Sequence, residues 1–175
     1  MLDGEAGGRL VILPLMHSVL LVCMGNICRS PLASAVMQAE VARRGLQDKV
    51  AVASAGVYDG RAGERADARA RQLAVARGYE AIEAERARGV HDEDFERFDL
   101  LLAMDHSNLR ALQRRCPKVH RHKLHLYLAY AGLGDREVPD PYLGPIEGFE
   151  VVLGLCEQAS GAVLDRLLAG RVQTA

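Results

Sequence analysis

Eight consecutive residues, Cys23-Met24-Gly25-Asn26-Ile27-Cys28-Arg29-Ser30, hold the side chains best suited to chemistry in this chain. They follow the apolar run 19–22 and precede Pro31 and an alanine-rich stretch, so they read as a strand, a tight loop and a helix start. A cysteine followed six residues later by arginine lets the intervening loop curl round a tetrahedral anion, its backbone N–H groups turned inward as a nest. Arg29 adds a planar fork of donors for two phosphate oxygens. The helix start contributes unpaired N–H groups and the positive end of its dipole. Cys23, at the base, is therefore expected to act as a thiolate. Free thiols titrate near ~8.5, whereas cysteines in such surroundings fall to roughly 3.5–7.5. A fall of about three units corresponds to about 4 kcal/mol favouring the anion. Ionisation alone supplies about a thirtyfold gain in nucleophile. The larger gain would come from donors already aimed at the equatorial oxygens of a transferring phosphoryl group.

The other loop positions suit the same task. Gly25 allows close approach of backbone to anion, and Asn26 tolerates a left-handed conformation while its side chain bonds locally. Ser30 can donate to the Cys23 sulfur, and Pro31 sits in a first helical turn that has no use for its missing N–H. A second reactive group is Asp140, set between Pro139 and Pro141 in a stretch that cannot be helical. Alone, an Asp-Pro pair reads as a solvated turn. Above an anion loop, its carboxyl can protonate a leaving phenolate oxygen and then deprotonate the attacking water, assistance of commonly 10² to 10⁴-fold.

The elements that must position these groups alternate as a doubly wound α/β protein requires. Helices are expected over residues 31–44, 67–77, 92–98 and 107–115, with Asp67 capping the second. Strands are expected over 50–55, 100–104 and 124–127, the middle one apolar enough to be buried on both faces. In a last helix Phe149, Val152, Cys156, Ala159, Val163 and Leu167 recur every three or four residues. Ligands in such sheets bind beyond the carboxyl ends of the strands at a switch point, where the Cys23 loop would sit.

Composition sets outer bounds. A chain of 175 residues with 49% hydrophobic residues and a formal net charge of −1 has no bulk attraction to nucleic acid or membrane. Its four cysteines lack zinc-like pairing, which points to a reducing cytoplasm. The apolar cluster 10–16 is interrupted by Pro14 and too short to span a bilayer. Residues 1–16 read as a disordered extension, with Met16 an alternative start, and 17–175 as one domain. His120, His122 and His125 have basic neighbours and no nearby carboxylate, so they read as a basic surface or strand edge, with no metal expected.

The stretch 22–31, VCMGNICRSP, resembles the signature of the low-molecular-weight protein tyrosine phosphatases. Ser54-Ala55-Gly56, the segment 99–110 (DLLLAMDHSNLR), Asp140-Pro141-Tyr142 and Gly148-Phe149-Glu150 resemble later family segments in the same order. The resemblance covers residues 17–168. It implies an α/β fold with a central four-stranded parallel twisted sheet flanked by helices on both sides. It also implies a two-step hydrolysis of phosphotyrosine through cysteinyl-phosphate, without cofactor or metal and with inorganic phosphate as product. The protein substrate would include, by family analogy, a bacterial tyrosine kinase. Cys23, Arg29 and Asp140 take the catalytic positions, Met24 to Cys28 and Ser30 the phosphate loop, Ser54 a supporting serine, and Asp105 a structural aspartate. Cys28 takes the place of a thiol that can form a reversible disulfide with the nucleophile.

The chain also departs from the family pattern. The aromatic pair after the aspartate is Tyr142-Leu143, and the opposite aromatic position falls on Gly60, with Tyr58 two residues earlier as a substitute wall. A histidine before an Arg-Ala-Arg-like segment is replaced by Glu85, which reads equally as a solvated helix-surface residue. Three alternatives stay open. They are a phosphoarginine phosphatase, whose members carry threonine where this chain has Ile27; an arsenate reductase, for which Cys116 and Cys156 would have to reach the site; and a non-catalytic anion-binding or redox module.

Overall fold

The structure, a computed structural model, describes residues 16–170. The extension expected over 1–16 lies, apart from Met16, outside these residues. Strand β1 (His17–Cys23) owes its place to its composition: Val19 to Val22 are fully buried, as a strand covered on both faces must be. It lies between β2 (Val50–Gly56) and β3 (Leu100–Ala103), and β4 (Leu124–Leu126) completes an all-parallel sheet of order β2-β1-β3-β4. In register, Cys23 stands beside Gly56 and Val22 beside Ala103, so the carboxyl ends of β2, β1 and β3 finish together. The order reverses at β1, making its carboxyl end the switch point.

Side-chain alternation divides the core into two layers. Val19, Leu21 and Cys23 face helices α1 (Arg29–Arg43) and α6 (Ile146–Ala169), where Leu32, Val36, Phe149 and Val152 meet them. Leu20 and Val22 face the other way, against Phe95 of α3 (Asp94–Arg97) and Leu112 of α4 (His106–Arg115). Each fully buried Leu or Val contributes about 1.5–3 kcal/mol relative to exposure, so both layers hold β1 firmly. Helix α2 (Ala68–Ala76) starts at Asp67, whose side chain accepts from the Arg69 N–H. The six periodic residues foreseen for the last helix are all buried along α6.

The fold is the parallel sheet with helices on both faces that the sequence predicts, with local differences. Helix α1 begins at Arg29, two residues before the expected start, because the loop's last residues already wind into the first turn. The strand expected over 124–127 ends at Leu126, since Tyr127 opens the short helix α5 (Tyr127–Tyr130) and is wholly buried. His120 and His122 lie on a 3₁₀ turn, Lys118–Lys123, and His125 packs against Tyr130 at 5.1 Å. Among the described residues no helix is long and apolar enough to cross a membrane.

Candidate active site

Residues 24–28 join β1 to α1, and Asn26 is the one non-glycine residue with positive φ (58°) among those described. An asparagine accepts that left-handed turn at low cost and supplies a side chain to hold it. Its Nδ2 donates to Ser30 Oγ at 2.9 Å and to Ser54 Oγ at 2.8 Å, while its Oδ1 accepts from the Arg88 N–H at 3.0 Å. Cys23 Sγ lies 3.0 Å from Ser30 Oγ and accepts from the Asn26 N–H at 3.3 Å. The N-cap of α1 is Cys28, whose side chain makes no capping bond, so the first-turn donors are left for an anion.

Gly25 does not adopt a positive φ, and a Cβ there would touch only the Arg61 stem at 3.6 Å. The fold itself therefore does not demand a glycine at 25. It does demand one at 56, where a Cβ would stand 2.8 Å from Met24 O and 2.9 Å from Tyr58 O.

Arg29 is only 2% exposed. Its Nη1 donates to Asp105 Oδ2 at 2.6 Å and Val138 O at 3.1 Å, and its Nη2 reaches Asp140 Oδ2 at 3.5 Å. Asp105 does double duty, its Oδ1 capping α4 through the Asn108 N–H at 2.7 Å. Asp140 Oδ1 accepts from the Tyr142 N–H at 3.1 Å, which orients the carboxyl over the loop. Burial, followed by the negative charge of Asp67, pushes the Cys28 thiol far above its ordinary range.

These groups converge on a pocket of about 200 Å³ lined by Cys23, Met24, Gly25, Ile27, Cys28, Arg29, Tyr58, Arg61, Asp140 and Tyr142. Its floor is the sulfur and the arginine; its walls are tyrosines. Ser54 does not line it and bonds to the loop from behind. Cys116 and Cys156, buried under the sheet and within α6, do not line it either.

Two contributors, Arg61 and Arg69, escape sequence reasoning, while a third, Glu85, takes the supporting place that the resemblance gives it rather than a solvated one. Arg61 Nη2 donates to the Tyr142 hydroxyl at 2.7 Å and its guanidinium lies 5.4 Å from that ring, both residues lining the pocket. Arg69, gripped by Asp67, donates to Tyr142 O and Gly144 O at 3.0 Å each and stacks on Phe149, pinning the loop that carries Asp140. Glu85 is no helix-surface residue: it follows the 3₁₀ turn Glu80–Ala84 and accepts from Ser54 Oγ at 2.7 Å. Only Arg69 had a local signal, its i, i+2 spacing from the Asp67 cap.

A parallel sheet whose switch point carries a cysteine-to-arginine loop defines a small α/β phosphatase. The family profile for low molecular weight phosphotyrosine protein phosphatase matches residues 18–173. A low molecular weight protein-tyrosine-phosphatase of Streptomyces coelicolor is 42% identical over 153 residues, 85% of this chain and 92% of that protein. The pig (Sus scrofa) low molecular weight phosphotyrosine protein phosphatase is 38% identical over 152 residues, 86% of this chain and 95% of that one. A crystal structure of an Entamoeba histolytica protein tyrosine phosphatase superposes with a TM-score of 0.84 at 36% identity, covering 89% of this chain and 99% of that one. The chain belongs to the low molecular weight phosphotyrosine protein phosphatase family.

Proposed function

We propose that the protein hydrolyses phosphotyrosine in protein substrates, with Cys23 as nucleophile, Arg29 as phosphate clamp and Asp140 as general acid and base. The observation that carries this reading is the Cys23 sulfur at the pocket floor, 3.0 Å from Ser30 Oγ, with Asp140 and Arg29 lining the same pocket. The thiolate attacks phosphorus as Asp140 protonates the departing tyrosyl oxygen, leaving cysteinyl-phosphate and free tyrosine hydroxyl. Asp140, now a carboxylate, takes a proton from water as its oxygen attacks phosphorus. Inorganic phosphate leaves, and the thiolate is released into the Ser30 hydrogen bond. Loop N–H groups and Arg29 meet the charge on the equatorial oxygens throughout.

Tyr58, Tyr142 and Ile27 favour a flat aryl group over the guanidino group of phosphoarginine. The arsenate reductase reading weakens because only Cys23 and Cys28 of the four cysteines line the pocket. In this reading the enzyme works in a reducing cytoplasm, a bacterial tyrosine kinase is a fitting substrate, and Cys28 protects Cys23 from over-oxidation. The test is steady-state hydrolysis of a phosphotyrosine peptide beside phosphoserine and phosphoarginine, for the parent and Cys23→Ser. Release from phosphotyrosine that vanishes in Cys23→Ser is the expected result. Release from phosphoarginine alone, or release that survives Cys23→Ser, overturns it.

A further inference from the structure

We propose that Glu85 is a positioning residue for the Cys23 thiolate, fixing the donor direction of a hydrogen-bond chain that runs from its carboxylate through Ser54, Asn26 and Ser30 to the sulfur. The inference rests on the phosphatase reading, yet it concerns a residue outside the pocket lining.

The direction follows from what each group can do. Glu85 Oε2 accepts from Ser54 Oγ at 2.7 Å, and its Oε1 accepts from Ser34 Oγ at 2.6 Å and Gln38 Nε2 at 3.2 Å. A carboxylate only accepts, so the single Ser54 proton is committed to Glu85. The Ser54 lone pairs are then left to receive Asn26 Nδ2 at 2.8 Å. At the other end of the amide, the Arg88 N–H can only donate, and it holds Asn26 Oδ1 at 3.0 Å. With both ends fixed, the second Nδ2 proton goes to Ser30 Oγ at 2.9 Å. Ser30 keeps one proton of its own, facing Cys23 Sγ at 3.0 Å and Ala55 O at 3.3 Å. The sulfur is the nearer acceptor and, as a thiolate, the stronger one.

Glu85 thus acts on the sulfur in two opposite ways. As a distant, partly screened negative charge it disfavours a thiolate. As the terminal acceptor of a chain in which each bond polarises the next, it favours one. The sign of the net effect separates the two.

The experiment measures inactivation of Cys23 by iodoacetate from pH 4 to 10 in the full chain, for the parent, Glu85→Gln, Ser54→Ala and the double variant. Glutamine keeps the shape but can turn an N–H toward Ser54, competing with Asn26. The expected result is a profile moved to higher pH by about half to one unit in each single variant, the size of one lost hydrogen bond. The double variant should move no further than either single one, because both act through one chain. A shift to lower pH, no shift, or additive shifts overturn the proposal. Should Glu85→Gln fail to fold, an unshifted Ser54→Ala alone is enough to sink it. A parent that turns over phosphotyrosine while Glu85→Gln leaves its profile in place removes only the positioning role; a parent with neither turnover nor alkylation at Cys23 removes both readings.

Discussion

The Tyr58 ring fills the space that Gly60 leaves empty, for a Cβ at position 60 would collide with the Tyr58 ring and hydroxyl. Tyr58, two residues before Gly60, lines the candidate pocket. Gly60→Ala should therefore push Tyr58 aside and act like Tyr58→Ala. Both should raise KM for a phosphotyrosine peptide about 2- to 12-fold, the worth of one aromatic contact, with little change in kcat. Steady-state kinetics check this; a Gly60→Ala enzyme with parental KM would separate the two positions.

Asp140 lines the pocket from a loop held by Arg69 and the Tyr142 N–H. Asp140→Ala should lower kcat by about 10² to 10⁴-fold for phosphotyrosine and far less for aryl phosphates with good leaving groups. Arg69→Gln should show the same leaving-group pattern in milder form. A uniform loss across a leaving-group series would refute the acid role.

Hydrogen bonding from Arg69, opposed by burial, holds the Asp67 carboxyl below its ordinary value of 3.8. A carboxyl depressed on folding stabilises the folded chain above its unfolded value, and that contribution disappears as pH falls through the lower, folded one. Asp67→Asn keeps a capping oxygen but loses the ion pair with Arg69, and should cost up to about 1 kcal/mol at pH 6. The difference from the parent should shrink as pH drops below 3.8. Urea unfolding at pH 6 and at pH 3 checks both the size and the sign.

Burial keeps Cys28 a thiol, so peroxide should meet Cys23 first. In that reading the Cys23 sulfur would take one oxygen from peroxide to become a sulfenic acid, and the Cys28 thiol would then condense with it, releasing water and forming a disulfide. After peroxide, the parent should regain activity with added thiol, whereas Cys28→Ala should lose a fraction irreversibly. Equal recovery in both would dismiss the protective role.

The eight-residue loop could be read directly from the sequence because its parts are consecutive, and a strand, a loop and a helix start each leave a local pattern. The buried run of β1 and the periodicity of α6 were legible for the same reason. Arg69 and Arg61 were not, because their partners lie 73 to 75 and 81 residues away, and Glu85, whose Ser54 partner lies 31 residues away, could be placed only through the resemblance. No spacing rule links a side chain to a contact made by the tertiary fold. Gly56 stood in a recognised segment, but its reason, the approach of the Met24 and Tyr58 carbonyls, belongs to the packed loops alone. The short β4 was overrun because Tyr127, a good strand former, is used instead to open a helix.

The contact between Arg29 and Asp140 spans 111 residues. Arg29 is also held by Asp105 and by Val138 O, and the layer that covers β1 and α1 is completed by Phe149, Val152 and Cys156 of α6. A chain still under synthesis therefore lacks the partners that fix the arginine until its carboxyl-terminal elements have docked. Activity becomes a late report on the state of the whole sheet.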